Sequence, residues 1–196
     1  MGSGHRNVNL PDLGTIYDYI PMPSCFHSFL EEGPFESCTV CKAPLIEDGT
    51  HYIIEKGYHR EEVIFEYAIC MSCRGALMNE LSAKSVRLIN DYFDERVDLV
   101  ERRKQLLETC ENRVKPWIDT CVLTGRTLTT SDTYQVCGQC DGSDLLFTYL
   151  PYAISEKALE DMLPRLSRKT RERLDNFTSD FLGLPPEVKD LNLLVV

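Results

Sequence analysis

Cysteine is the residue type in this sequence with the clearest chemical signature. Two Cys-x-x-Cys turns can gather four thiolates around one tetrahedral zinc ion. The odd number of cysteines, nine in 196 residues, and an N-terminus without an export signal disfavour a disulfide scaffold. Six of the nine form three Cys-x-x-Cys pairs: Cys38 and Cys41 (CTVC), Cys70 and Cys73 (CMSC), and Cys137 and Cys140 (CGQC). The sequence therefore predicts thiolate-bound metal.

The first two pairs make up the predicted primary site, with Cys38, Cys41, Cys70 and Cys73 as its ligands. Four protein sulfurs close the coordination sphere, which is typical of structural rather than catalytic zinc. Sulfur-only ligation also suits iron, so the choice between zinc and iron stays open.

The segment between the two pairs predicts a β-hairpin. Residues 51–69 are rich in Ile, Val, Tyr and Phe and predict two strands with a loop around Lys56–Glu62. The second pair then stands where the second strand ends and a helix begins. This order resembles a treble-clef zinc finger over about residues 36–85. The resemblance implies a metal and a local fold, but no activity, because treble clefs serve nucleic-acid binding, protein binding and catalysis.

Residues 117–150 look like a degenerate copy of residues 36–80. The segment CVLTGRTL (121–128) matches CTVCKAPL (38–45), with Thr124 where a second cysteine would stand. If CGQC is taken as the second pair, this copy offers Cys121, Cys137 and Cys140. That set is one ligand short of a closed site.

Three interpretations of the second unit remain open. Cys110, Cys25 or His27 could complete a second zinc site. The unit could instead keep its fold without metal, with its cysteines as small buried residues. The third interpretation is a three-ligand zinc with water in the fourth position, which is the layout of catalytic zinc.

The CGQC pair also fits a redox dithiol in which the first cysteine has a lowered pKa. The residues after it do not predict the strand and helix units of a thioredoxin fold. Asp141 and Asp144 lie close by in sequence, and their charges would disfavour a thiolate.

The longest predicted element is an amphipathic helix from Arg74 to about Glu108. Its apolar residues recur at a spacing near 3.6, which gives a rod of roughly 50 Å. We expect this helix to link the two cysteine units, with a dimer seam or partner-docking surface as the alternative. Helices are also predicted over 155–163 and after Pro164, followed by an extended tail.

The fold class predicted is α+β: a treble-clef-like Cys₄ module, a long central helix, a degenerate second cysteine unit and a helical C-terminal part. The corresponding segments are 1–37 (lead segment), 38–110 (zinc module and long helix), 111–150 (second cysteine unit) and 151–196 (helices and tail). We expect them to form one integrated globular unit.

The net charge of −10 disfavours binding to nucleic acid or to an anionic membrane. No apolar run is long enough to span a bilayer, so we expect a soluble, cytoplasmic protein. Phosphate loops, zinc-protease helices and serine-hydrolase elbows are not found.

The resulting hypothesis is a non-enzymatic, zinc-binding adaptor or regulator that binds another protein. One alternative is nucleic-acid binding through a basic cluster, and a second is an enzyme with an open zinc or a redox dithiol at Cys137 and Cys140. The basic cluster consists of Arg165, Arg168, Lys169, Arg171 and Arg173.

Overall fold

The structure is a computed structural model that describes residues 17–110, 113–129 and 132–182. Within these ranges six strands form one antiparallel sheet, accompanied by six α-helices, so the mixed α and β prediction is confirmed. The strands are β1 (Asp18–Pro21), β2 (His51–His59), β3 (Glu62–Cys70), β4 (Thr133–Asp141), β5 (Asp144–Phe147) and β6 (Tyr152–Ser155). The helices are α1 (Met71–Glu80), α2 (Ala83–Asp94), α3 (Leu99–Cys110), α4 (Lys115–Ile118), α5 (Glu156–Met162) and α6 (Arg168–Phe177).

Strands β2 and β4 form the centre of the sheet. They pair along their whole length, with Glu55 opposite Cys137 midway. The strand order is β1-β5-β4-β2-β3, and β6 pairs with the part of β4 that β5 leaves free. The predicted hairpin is present as β2 and β3, joined by a tight turn at Arg60 and Glu61, both of which have positive φ.

Both faces of the sheet are covered. On one face Tyr67 of β3 contacts Phe177 of α6, and Tyr152 of β6 contacts Phe93 of α2. On the other face Trp117 of α4 packs on Phe147 of β5. Because side chains alternate between the two faces along a strand, residues three apart in β4 point to opposite layers.

The prediction of one long helix from Arg74 to Glu108 is wrong, because three helices occupy this stretch. Leu81 is extended at φ −69° and ψ 154°, and the Ser82 hydroxyl accepts the N–H of Ser85 at 3.1 Å. The Asp98 carboxylate likewise accepts the N–H of Glu101 at 2.9 Å. Serine and aspartate satisfy N-terminal N–H groups better than they continue a helix, so they start new helices here.

The chain contains two similar units, which we call unit 1 (residues 36–94) and unit 2 (residues 119–177). Each unit runs through a turn, paired strands, a helix and a second helix. Strand β4 lies 82 residues after β2, and α5 starts 85 residues after α1. Unit 2 splits the counterpart of β3 into β5 and β6. The repeat in the structure covers residues 119–177, and it differs from the predicted copy at 117–150 because CGQC lies in β4, the counterpart of β2, and not at the counterpart of CMSC.

The two units exchange equivalent contacts with each other. The N–H of Ser82 donates to the Thr170 hydroxyl at 3.1 Å, and the N–H of Ser167 donates to the Ser85 hydroxyl at 2.9 Å. The Ser82 and Ser167 hydroxyls lie 2.9 Å apart. Such reciprocal contacts are those of an isologous, two-fold interface. The units are thus packed as an approximately symmetric pair.

Candidate metal centre

The four cysteines of the predicted primary site come together in the structure. All four sulfurs lie within 4.8 Å of one another. The sulfurs of Cys41 and Cys70 are 3.8 Å apart. Cys38 is fully buried and Cys41 is exposed, so the cluster lies at the edge of the core. This group can hold a metal ion.

The first pair is positioned by a tight turn. The N–H of Cys38 donates to the carbonyl of Ala43 at 2.8 Å, and the N–H of Lys42 donates to the carbonyl of Cys38 at 2.9 Å. The turn closes because Lys42 adopts a left-handed conformation with φ 62°, which is costly for a residue with a Cβ. The turn brings both sulfurs to Cys70, at the end of β3.

The second pair lies where β3 passes into α1. Cys70 ends the strand, and Cys73 lies in the first turn of the helix. The pairing of Cys70 with Tyr52 of β2 fixes the strand end, and the N–H of Cys70 points to the sulfur of Cys38 at 3.4 Å. The sheet register therefore decides where the second pair meets the first.

The electrostatics of the cluster favour a cation. Burial opposes ionisation of Cys38, but backbone N–H groups, foremost those of Cys41 and Cys70, outweigh it and lower the pKa of Cys38 to about 7. Burial and the neighbouring sulfurs raise the pKa of both Cys70 and Cys73. Neighbouring thiolates repel one another, and a bound divalent cation would offset this repulsion. Coordinated thiols are then deprotonated outright.

The structure does not bring Cys121, Cys137 and Cys140 together. Cys121 lies in a turn, whereas the other two lie within β4 on opposite faces of the sheet. CGQC forms strand rather than a turn because it pairs with β2 over its whole length. Among the described residues, the cysteines at 38, 41, 70 and 73 are the one group whose ligand atoms lie close enough together to hold a metal ion.

Cys137 and Cys140 are also unsuited to dithiol chemistry. Both are fully buried, and burial is the main cause that raises the pKa of each thiol. A reactive dithiol needs an accessible, low-pKa thiolate. These two cysteines are packing residues of the central strand.

Within the ranges that the structure describes, none of the three candidates for a fourth ligand forms a group of metal-binding size with Cys121, Cys137 and Cys140. Cys110 ends α3, next to the Thr109 hydroxyl at 3.3 Å. The carbonyl of Cys25 accepts the Tyr58 hydroxyl, and the His27 ring contacts the Met22 carbonyl at 3.1 Å.

The counterpart of the second cysteine pair lies instead at the start of α5. The N–H of Ser155 points to the sulfur of Cys121 at 3.3 Å, as the N–H of Cys70 does to Cys38. Unit 2 thus has Cys121, Thr124, Ser155 and Ala158 at the places of the four cysteines of unit 1. A signal for this alignment exists in the sequence, because LSAKS at 81–85 recurs as LSRKT at 166–170.

The basic cluster lies around the start of α6, and several of its charges are paired. Arg168 pairs with Glu172 at 2.8 Å, and Arg173 pairs with Glu80 of α1. Arg165 lies over the ring of Tyr92. Arg165, Arg168, Lys169 and Arg171 nevertheless remain exposed at the surface.

Comparison with known proteins gives no relative: no family model, no curated protein and no solved structure matches this chain. In the described part of the chain, none of the helices combines the length and apolar character needed to cross a bilayer.

Proposed function

We propose that this chain is a zinc-stabilised protein-interaction module in which the metal is structural. The observation that carries the metal is the group of four sulfurs in unit 1. Four thiolates in this compact arrangement match the closed tetrahedral coordination of structural zinc. With all four ligands supplied by the protein, no position is left for a substrate or an activated water.

The interaction role is supported by a turn at residues 28–33, which we call the Phe29–Leu30 turn. Phe29 is 75% exposed and Leu30 is 85% exposed, and they are adjacent. The turn is closed by the N–H of Ser28, which donates to the carbonyl of Gly33 at 2.7 Å. Large exposed apolar side chains on a structured turn are what a partner pocket can accept.

A buried ion pair holds this turn in place. Lys56 of β2 and Glu66 of β3 pair at 3.1 Å, with side chains only 5% and 10% exposed. The other oxygen of Glu66 accepts the Ser28 hydroxyl at 2.9 Å and the N–H of Phe29 at 2.8 Å. Burying an ion pair rarely adds stability by itself, so its evident effect is to fix the turn before binding.

The charge around the turn indicates the chemistry of the partner. Glu31, Glu32 and Glu36 are exposed, and residues 28–36 contain no lysine or arginine. Complementary charge steers association, whereas like charge disfavours the binding of a second copy of this acidic chain. We therefore propose a protein partner with an apolar pocket rimmed by basic side chains.

The test is affinity capture with the full chain, followed by measured binding of the recovered, purified partner. Phe29→Ser with Leu30→Ser should abolish binding, and Glu31→Lys with Glu32→Lys should weaken it most at low salt. Zinc content and circular dichroism should stay unchanged in both variants.

Val100→Ser is the matched control, because Val100 is also a largely exposed apolar residue, in α3. It should bind like the unsubstituted chain. Equal binding by the control and the Phe29/Leu30 variant would contradict the proposed surface.

A further inference from the structure

We infer that unit 2 carries the framework of a second thiolate metal site, with Cys121 as the one ligand in place. Thr124, Ser155 and Ala158 occupy the positions of the other three ligands. The metal class would be the one that suits unit 1, a thiophilic divalent cation such as zinc. This inference depends on the proposed zinc site of unit 1 only for the choice of metal.

The first half of the framework is a turn with the same backbone as the metal turn of unit 1. The N–H of Cys121 donates to the carbonyl of Arg126 at 2.9 Å, and the N–H of Gly125 donates to the carbonyl of Cys121 at 2.9 Å. These two bonds repeat those of Cys38 and Lys42, 83 residues earlier. Gly125 has φ 67°, so it matches Lys42 in conformation.

The turn is also held against the sheet in the same way. The N–H of Val122 donates to the carbonyl of Ala153 at 2.8 Å, as the N–H of Thr39 does to Ala68. The N–H of Leu128 donates to the carbonyl of Asp119 at 2.8 Å, which repeats the bond from Leu45 to Glu36. The distance and direction from turn to strand are therefore preserved.

The second half of the framework is the junction of β6 and α5. Ser155 ends its strand as Cys70 does, and its partner across the sheet is Tyr134, the counterpart of Tyr52. Its hydroxyl oxygen lies 3.2 Å from the sulfur of Cys121. Ala158 follows three residues later in the first turn of α5, fully buried, as Cys73 follows Cys70 in α1.

In unit 2 hydrogen-bond donors surround the sulfur of Cys121, whereas in unit 1 other sulfurs surround that of Cys38. The hydroxyl and N–H of Ser155 both point to the sulfur. The N–H of Ser155 thus takes the place of the N–H of Cys70 beside Cys38, and its hydroxyl lies beside the sulfur as the thiol of Cys70 does in unit 1.

The test is to restore the ligands in the full chain with Thr124→Cys, Ser155→Cys and Ala158→Cys together. Zinc is counted by native mass spectrometry and elemental analysis, and Co²⁺ loading is read from its tetrathiolate absorption. The metal content should rise by one ion per chain over the unsubstituted protein. A folded triple variant with unchanged metal content would overturn the inference.

The matched control is the same triple variant carrying Cys121→Ser, which has three of the four ligands. It should bind the added metal at least tenfold more weakly. Equal affinity would mean that the new thiols bind metal elsewhere. Absence of metal from the unsubstituted protein would instead count against the site in unit 1, so the two failures are distinguishable.

A single substitution keeps the inference testable if the triple variant does not fold. Ser155→Cys changes one atom and places a second thiol beside Cys121. Cys121 and Ser155 are buried, so arsenite, a small dithiol reagent, is added during refolding. The refolded variant should retain one more equivalent of arsenic than the unsubstituted chain. No extra equivalent would contradict the alignment of Ser155 with Cys70.

Discussion

Units 1 and 2 share one backbone plan and differ in what holds the turn to the sheet. In unit 1 four sulfurs converge, close enough together to hold a metal ion. In unit 2 a single sulfur, that of Cys121, is held by hydroxyl and N–H donors, and Arg126 pairs with Asp132 beside it. The comparison teaches that the turn itself does not require a metal. In the proposed account, a metal in unit 1 takes the place of the hydrogen-bond donors that hold Cys121 in unit 2.

The largest difference is expected between Cys38→Ser and Cys121→Ser. Structural zinc contributes on the order of 10 kcal/mol to folding, so Cys38→Ser should lose zinc and much of that stability. Cys121→Ser should cost roughly 1–3 kcal/mol, the range for a perturbed buried hydrogen bond. Urea unfolding with zinc analysis measures both, and equal losses would remove the distinction between the units.

The buried ion pair that fixes the Phe29–Leu30 turn lies in unit 1. Unit 2 has no equivalent of its lysine, because the counterpart of Lys56 in β4 is Gly138. Glu66→Ala should cost about 3–5 kcal/mol because it leaves Lys56 buried without its charge partner. Lys56→Met with Glu66→Leu should recover most of this loss in urea unfolding. A Glu66→Ala variant as stable as the unsubstituted chain would show that the pair is not buried in solution.

The helix caps should behave alike in the two units. Ser82 and Ser167 each accept an N–H three residues on, at 3.1 and 3.2 Å. Replacing either with alanine should cost about 1 kcal/mol. The double variant should be non-additive because the two hydroxyls touch. Thermal unfolding of all three variants gives the coupling, and purely additive losses would argue against the two-fold contact.

The smallest effect on stability is expected when a low pH protonates Asp132 in the turn of unit 2. The N–H of Thr129, foremost, and the Arg126 guanidinium lower the pKa of Asp132. A carboxyl group whose pKa is lower in the folded than in the unfolded protein stabilises the fold at pH values above the ordinary pKa of aspartate. This contribution is lost as the pH falls through the lowered pKa. Carboxyl NMR titration should show Asp132 ionising below other exposed aspartates, and Arg126→Gln should move its pKa upward.

Sequence reasoning located the four cysteines that come together in unit 1, because their chemistry and spacing are local. It also located the hairpin and, to within three residues, the start of α1, which begins at Met71 and not at Arg74. It did not find the pairing of β4 with β2, which turns CGQC into strand, since strand pairing is a long-range contact. Ser82 and Asp98, within a helical pattern, were the local signals that the long helix ends early. The predicted tail at 184–196 lies outside the described residues.

The central claim is that one metal binds in unit 1 and none in unit 2. Native mass spectrometry of the full chain, beside elemental analysis, tests it most directly. The account predicts one zinc ion per chain. It predicts none after Cys70→Ser with Cys73→Ala, which gives the second cysteine pair of unit 1 the residues found in unit 2. Two ions per chain, no metal in the unsubstituted protein, or zinc retained by that variant would contradict it.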